Sequence, residues 1–296
     1  MKVLLAIDRC DSHVIHEVTN RLWPSGTLFC VMSVIDLRHW AGLPQLIEDA
    51  QCATESLATC ATEKLKKSGY NAFSETTVGF PKVAIPAYAK EWGADLIMVG
   101  SHGHGAVTQA LLGSVAQAVL RTAPCPVEIV RPAPRFRAAA QGMIILLATD
   151  GSECSAKAVD FVANQTWPAG SELRILSVAQ LVPAEVPSLA SQFSDPVPSL
   201  MDELCKRARV QAREAVASAR NTLSPAGMEV TPNGLEMYHV TPLGDPRLTI
   251  LEEARICHAD LIVLGSHGRH GLERFLMGSV AEAVAAQADC SVVVVR

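Results

Sequence analysis

Short apolar runs alternate along this chain with segments of helical period, and that alternation is what first restricts the fold. Val3–Ile7, Thr27–Val34, Ala72–Val78, Asp95–Val99 and Val127–Val130 read as strands. Several are apolar on both faces, as strands must be when helices cover both sides of a parallel sheet. Between the second and third runs, Ala50, Ala53, Leu57, Ala61 and Leu65 recur at helical spacing, then Lys64 to Lys67 and Gly69 close the segment. Lysines in a last turn complement the helix dipole, and a glycine just beyond is a common stop. Alternating strands and helices predict right-handed crossovers and a doubly wound α/β domain of five strands.

The pattern occurs twice. Val3-Leu-Leu-Ala-Ile-Asp8 matches Ile145-Leu-Leu-Ala-Thr-Asp150, and Trp23-Pro24 matches Trp167-Pro168. Val99 to Val119 matches Leu264 to Val284, and Ala123 to Arg131 matches Ala288 to Arg296. The predicted organisation is one domain over 1–132, a Pro- and Gly-flanked linker over 133–142, and a second domain over 143–296. The second copy is longer between its second and fourth strands, and the Pro-rich stretch Leu181–Pro198 reads as a surface loop.

Composition changes the picture only by exclusion. At 296 residues, 49% hydrophobic and 19% charged, the chain can fill two ordinary cores. A net charge of -5 and a pI near 6.0 give no basis for a nucleic-acid surface. No stretch reaches the ~18 apolar residues of a membrane span. Asp8 interrupts the opening apolar run too early for a signal peptide, so a cytoplasmic location is expected. The nine cysteines are scattered without a Cys-x-x-Cys pair, a pattern that reads as reduced thiols in apolar surroundings.

The candidate chemistry lies in two Gly-x2-Gly-x9-Gly-Ser loops: Gly100, Gly103, Gly113 and Ser114, then Gly265, Gly268, Gly278 and Ser279. Each begins where a buried strand ends, and open α/β sheets bind ligands beyond the carboxyl ends of their strands. Glycines let backbone amides approach an anion and permit positive φ, and the helix opening at Gly113-Ser114 directs free N–H groups and a favourable dipole at a phosphate. The alternative is that Gly100 turns a strand and Ser114 caps a helix. There is no Gly-x4-Gly-Lys-Ser/Thr, and Gly103-His-Gly105 lacks the third glycine of a dinucleotide fingerprint. Asp8 and Asp150, ending the first strands, share that sheet edge. Either could meet a ribose hydroxyl, hold a divalent ion between phosphates, or cap the next helix. His102, His104, His267 and His270 are spaced unequally between the copies, which argues against a shared metal ligand set. No catalytic triad or dyad can be assembled from spacing.

These loops, the two Gly-Ser-His-Gly tetrapeptides, the Ala-Asp-Leu-Ile strands and Asp150-Gly-Ser resemble the universal stress protein family in its tandem form. The resemblance covers nearly the whole chain. It implies five-stranded parallel sheets in order 3-2-1-4-5, ATP binding, and a role in stress adaptation. Carried over, Asp8 and Asp150 would contact ribose, and Val34 and Val178 would meet adenine through their backbone. The glycine loops with Ser114 and Val115, or Ser279 and Val280, would hold the phosphates, with or without Mg2+. Family members pair through their last strands, which implies that Val127–Val130 and Val292–Val295 face each other across an intramolecular pseudo-twofold; a further homodimer is open. In the first copy Arg9 replaces the glycine that follows the aspartate in the second, so the second site is expected to bind at least as tightly.

The expected function is an ATP-binding regulatory protein. A slow ATP hydrolase would need a base and a charge clamp that the sequence does not display. A partner-binding scaffold with one degenerate nucleotide site is the other alternative.

Overall fold

In the computed structural model the described residues are 1–10, 12–36, 44–102, 112–132, 142–180, 197–224, 231, 235–269 and 277–296. The first half runs β1 (Lys2–Ala6), α1 (His13–Thr19), β2 (Leu28–Asp36), α2 (Pro44–Lys67), β3 (Asn71–Gly79), α3 (Pro81–Trp92), β4 (Leu96–Gly100), α4 (Ser114–Thr122) and β5 (Val127–Val130). The second half runs β6 (Ile144–Ala148), α5 (Glu153–Ala163), β7 (Glu172–Leu176), α6 (Val197–Leu223), β8 (Glu236–Val240), α7 (Pro246–Ile256), β9 (Leu261–Gly265), α8 (Ser279–Gln287) and β10 (Ser291–Val295).

Each half is a parallel five-stranded sheet in the expected order 3-2-1-4-5. The two join edge to edge into one ten-stranded sheet, β3-β2-β1-β4-β5-β10-β9-β6-β7-β8. The join is antiparallel, with Val292 opposite Ile129 and Val294 opposite Val127. Antiparallel pairing of equivalent edges is what a twofold relation between the copies requires, and it covers two strand edges that would otherwise be open.

Strands apolar on both faces feed different cores. Leu4, Ala6, Ile97 and Val99 point to one face, where their core continues across the join to Ile262, Leu264, Val292 and Val294. Val3, Leu5 and Ile7 face α1 and α2, and Ile145 and Leu147 face α5 and α6. The Trp-Pro pairs serve the same local purpose twice: Trp23 Nε1 donates to Val18 O and Trp167 Nε1 to Val162 O, both at 3.0 Å. Each indole thereby satisfies a carbonyl near the end of the first helix of its half.

Polar contacts across the join are also paired. Arg131 donates through Nη2 to Ala285 O and Ala286 O, at 2.9 and 2.6 Å. Arg296, at the equivalent position, donates to Leu120 O at 2.7 Å. Each guanidinium thus meets carbonyls at the C-terminal end of the other half's last helix, where a cation is favoured.

Two expectations are corrected. Val197 and Pro198, read as surface loop, are the first residues of α6; residues 181–196 of that loop and most of the linker fall outside the described residues. Cys10 and Cys60 are not thiols but a disulfide, with Cα atoms 6.1 Å apart, while the other seven cysteines are free. Their 50-residue separation gives no local signal, since the crossover through β2 alone brings them together. No helix among the described residues is long and apolar enough to cross a membrane.

Candidate functional site

In the second half the carboxyl ends of β6, β7 and β9 open into a cleft of about 460 Å³, within the range of small-molecule sites. Asp150, Val178, Gly265, Gly268, Gly278, Ser279 and Val280 all line it. Seven residues named from sequence therefore converge on one cavity, from four separate segments of the chain.

The glycines are required for a reason the sequence did not show. A Cβ at Gly265 would lie 2.6 Å from the backbone carbon of Cys154 and 2.7 Å from Ser155 N, so β9 can pass the start of α5 only without a side chain. At Gly268 it would lie 2.7 Å from Asp150 Oδ2, and at Gly278 3.0 Å from Ser266 O. Positive φ, expected of Gly100 and Gly103 and of their counterparts Gly265 and Gly268, is a correction at three of the four: Gly100, Gly265 and Gly268 are not among the positive-φ glycines, and Gly103 lies outside the described residues. In the second half close approach by neighbouring atoms, not an unusual dihedral, selects glycine at these positions.

Asp150 connects the two loops. Its Oδ1 accepts from Ser152 N at 3.0 Å and its Oδ2 from Arg269 N at 2.9 Å. Burial opposes its charge, but hydrogen bonds from Ser152, Arg269 and Ser155 outweigh burial and hold the carboxyl below the usual carboxylate range. The helix-capping alternative for Asp150 fails, because Ser152 is the N-cap of α5 and accepts from Ser155 N. Gly151, at φ +75°, turns the chain between them, and a Cβ there would meet Arg269 Nη2 at 2.5 Å.

Ser279 and Ser114 are likewise not caps. The N-cap positions of α8 and α4 are Gly278 and Gly113, neither of which makes a side-chain capping bond. The first-turn amides of α8 therefore face the cleft with no capping side chain in front of them, the arrangement that suits an anion. His267 lies beside them with Nδ1 2.9 Å from Ser266 Oγ; burial and then the nearby Arg296 charge lower its pKa, so the ring stays neutral near pH 7.

The first half has the same frame but a different entrance. Gly113 N donates to Ser101 O at 2.7 Å, as Gly278 N donates to Ser266 O at 2.8 Å. Val34 is half-buried within β2, which continues to Asp36, whereas Val178 lies just past the end of β7. Asp8 is exposed and paired with its neighbour, Arg9 Nε lying 3.5 Å from Oδ1. Helix α5 starts directly after Asp150-Gly151-Ser152, while α1 waits until after Asp8-Arg9-Cys10-Asp11-Ser12. Among the described residues a Cβ at Gly100 would meet His102 O at 3.5 Å and nothing closer, an ordinary contact. Gly103, His104 and His270 lie outside the described residues. Among the described residues no group of three or more His, Cys, Asp or Glu side chains could hold a metal.

Several cleft residues went unnamed from sequence: Thr149, Gln180, Arg269, and Ala208, Gln211 and Ala212 of α6. Ala208 and Ala212, four apart, carried a small-residue signal for a helix that leaves room, and Arg269 follows the second glycine directly.

The family model described as the universal stress protein family matches residues 31–131 and 143–296, one segment in each half. The chain belongs to the universal stress protein family. A universal stress protein of Mycobacterium tuberculosis is 30% identical over 204 residues, 69% of this chain and 62% of that protein; the match thus spans less than two thirds of that relative's length. One from Mycolicibacterium smegmatis is 27% identical over 264 residues, 87% of this chain and 82% of its own. Among solved structures, a universal stress protein from Archaeoglobus fulgidus superposes with a TM-score of 0.65 at 21% identity, covering 100% of this chain and 96% of that one. That likeness concerns the fold.

Proposed function

We propose that this chain is an adenine-nucleotide-binding regulatory protein, with the second-half cleft as its principal site and ATP as its occupant. The observation that carries the reading is the uncapped start of α8. Gly278, Ser279 and Val280 line the cleft opposite Gly265, His267 and Gly268, and while the Gly278 amide is held by Ser266 O, no side chain caps the first-turn amides that follow it. Such a cradle suits a polyphosphate. Asp150, ionised and held in place by two amides, retains lone pairs for a ribose hydroxyl, and Val178 offers its backbone to a purine ring.

Magnesium fits this site only as a companion of the phosphates. Asp150 is the one carboxylate among the described cleft-lining residues, and both its oxygens already accept amides.

Binding is favoured over turnover. Among the described residues no lysine lines the cleft, and His267, the one imidazole there, is engaged with Ser266. The first half, with Asp8, Val34, Gly100, Gly103, Gly113, Ser114 and Val115, is the weaker site, because Arg9 and a longer loop replace the Gly151 turn. A cytoplasmic location belongs to the same reading. Nucleotide content of the purified protein tests it: bound ATP without phosphate release over hours is expected, steady release would indicate a hydrolase, and an empty protein that ignores added ATP would indicate a scaffold.

A further inference from the structure

In both halves the loop after the first strand packs against the long second crossover helix. In the second half the contact is non-covalent: a Cβ at Gly151 would sit 3.3 Å from Ala215 Cβ of α6. In the first half the corresponding seam, between the β1–α1 loop and α2, is closed by the Cys10–Cys60 bond. Cys60 is exposed and Cys10 half-buried, so the bond is open to small reagents.

We propose that Cys10 and Cys60 form a reversible thiol–disulfide site, oxidised by low-molecular-weight disulfides, that locks the β1–α1 loop of the first half onto α2. The pair is set apart from the buried thiols. Cys30, Cys125, Cys257 and Cys290 are buried, and burial pushes the thiols of Cys30, Cys125 and Cys290 up to about 12, which withholds the thiolate that exchange needs. Cys52 is exposed but free.

The chemistry is a two-step exchange. The thiolate of the exposed Cys60 attacks a disulfide RSSR, forming a Cys60–SR bond and releasing RS⁻. Cys10 thiolate then attacks Cys60 Sγ, forming the protein disulfide and expelling the second RS⁻. Two protein thiols are oxidised, one RSSR is reduced to two RSH, and the two protons lost by the cysteines end on the released thiolates. Reduction by two small thiols reverses both steps.

The lock changes what the loop can do. Asp8 and Arg9 immediately precede Cys10, and α1 begins only after Ser12, with Ser12 accepting from Ile15 N at 3.4 Å. To that cap the disulfide adds a covalent tie from the loop to a 24-residue helix. The lock is read from thiols and loop protection, so it stands apart from the nucleotide reading.

The test is a titration of the full chain in glutathione buffers of increasing disulfide fraction, with differential alkylation and peptide mass spectrometry. Cys10 and Cys60 are expected to leave the alkylatable pool together in one transition and appear as one cross-linked peptide, while Cys52 takes up glutathione instead. Amides flanking both cysteines should exchange roughly tenfold more slowly once oxidised, with those around Gly151 unchanged. In Cys60→Ser, Cys10 should carry glutathione and loop exchange should no longer follow the redox state. The proposal is overturned if both cysteines stay alkylatable throughout, if each carries glutathione, or if loop exchange still follows the redox state in Cys60→Ser.

Discussion

Asp150 Oδ2 accepts the backbone amide of Arg269 at 2.9 Å. That bond joins the turn after the first strand of the second half to the turn after its fourth, two segments more than a hundred residues apart in sequence. It explains why Gly268 has no side chain, since a Cβ there would meet the same oxygen at 2.7 Å. Asp150 thus positions the glycine loop as well as facing the cleft, whereas Asp8 is exposed and lies beside Arg9, with Nε 3.5 Å from its Oδ1.

Stability should depend on this carboxylate in a defined pH window. Its folded-state pKa is depressed, so its contribution is present above the unfolded value, about 3.9, and is lost as pH falls through the folded one. Asp150→Asn should therefore be less stable than wild type at pH 7, with the gap closing below pH ~4. Urea denaturation of both proteins across that range checks it; a constant gap would contradict the assignment.

The two halves should respond unequally to the same substitution. Gly265→Ala sets a Cβ against the backbone of Cys154 at 2.6 Å and should cost on the order of 1–3 kcal/mol. Among the described residues Gly100→Ala meets nothing nearer than 3.5 Å and should fall within about 0.5 kcal/mol of wild type. Chemical denaturation of the two variants decides, and equal losses would show that the halves pack alike.

Much of this was legible in the residues. Val3–Ile7 and Ile145–Ala148 showed the strands because a covered parallel strand is apolar throughout, and the Gly-x2-Gly-x9-Gly-Ser spacing marked where strand ends meet helix starts. What stayed hidden depends on distant partners. Gly265 is glycine because of Cys154, Cys10 is bonded because α2 passes it, and Arg21 is buried because two copies meet. Local pattern carries none of these, since each partner lies on a different element.

Arg21 supplies another prediction. It is 1% exposed, donates to the fully buried Glu128 at 2.8 Å, and stacks within about 5 Å of Trp23 and of Trp167 from the other half. Burial raises the pKa of Glu128 while the Arg21 charge pulls it back down. Arg21→Met alone leaves a buried carboxyl without its partner and should cost about 3–5 kcal/mol. Adding Glu128→Leu should restore much of that loss. A double-mutant cycle followed by Trp fluorescence measures the coupling, and additive losses would refute it.

The nucleotide assignment is tested most directly by isothermal titration of ATP into wild type, Gly278→Val and Gly113→Val, each first shown to be folded by circular dichroism. Loss of the tighter binding event in Gly278→Val and its survival in Gly113→Val is the predicted result. Wild-type affinity retained by a folded Gly278→Val would contradict it.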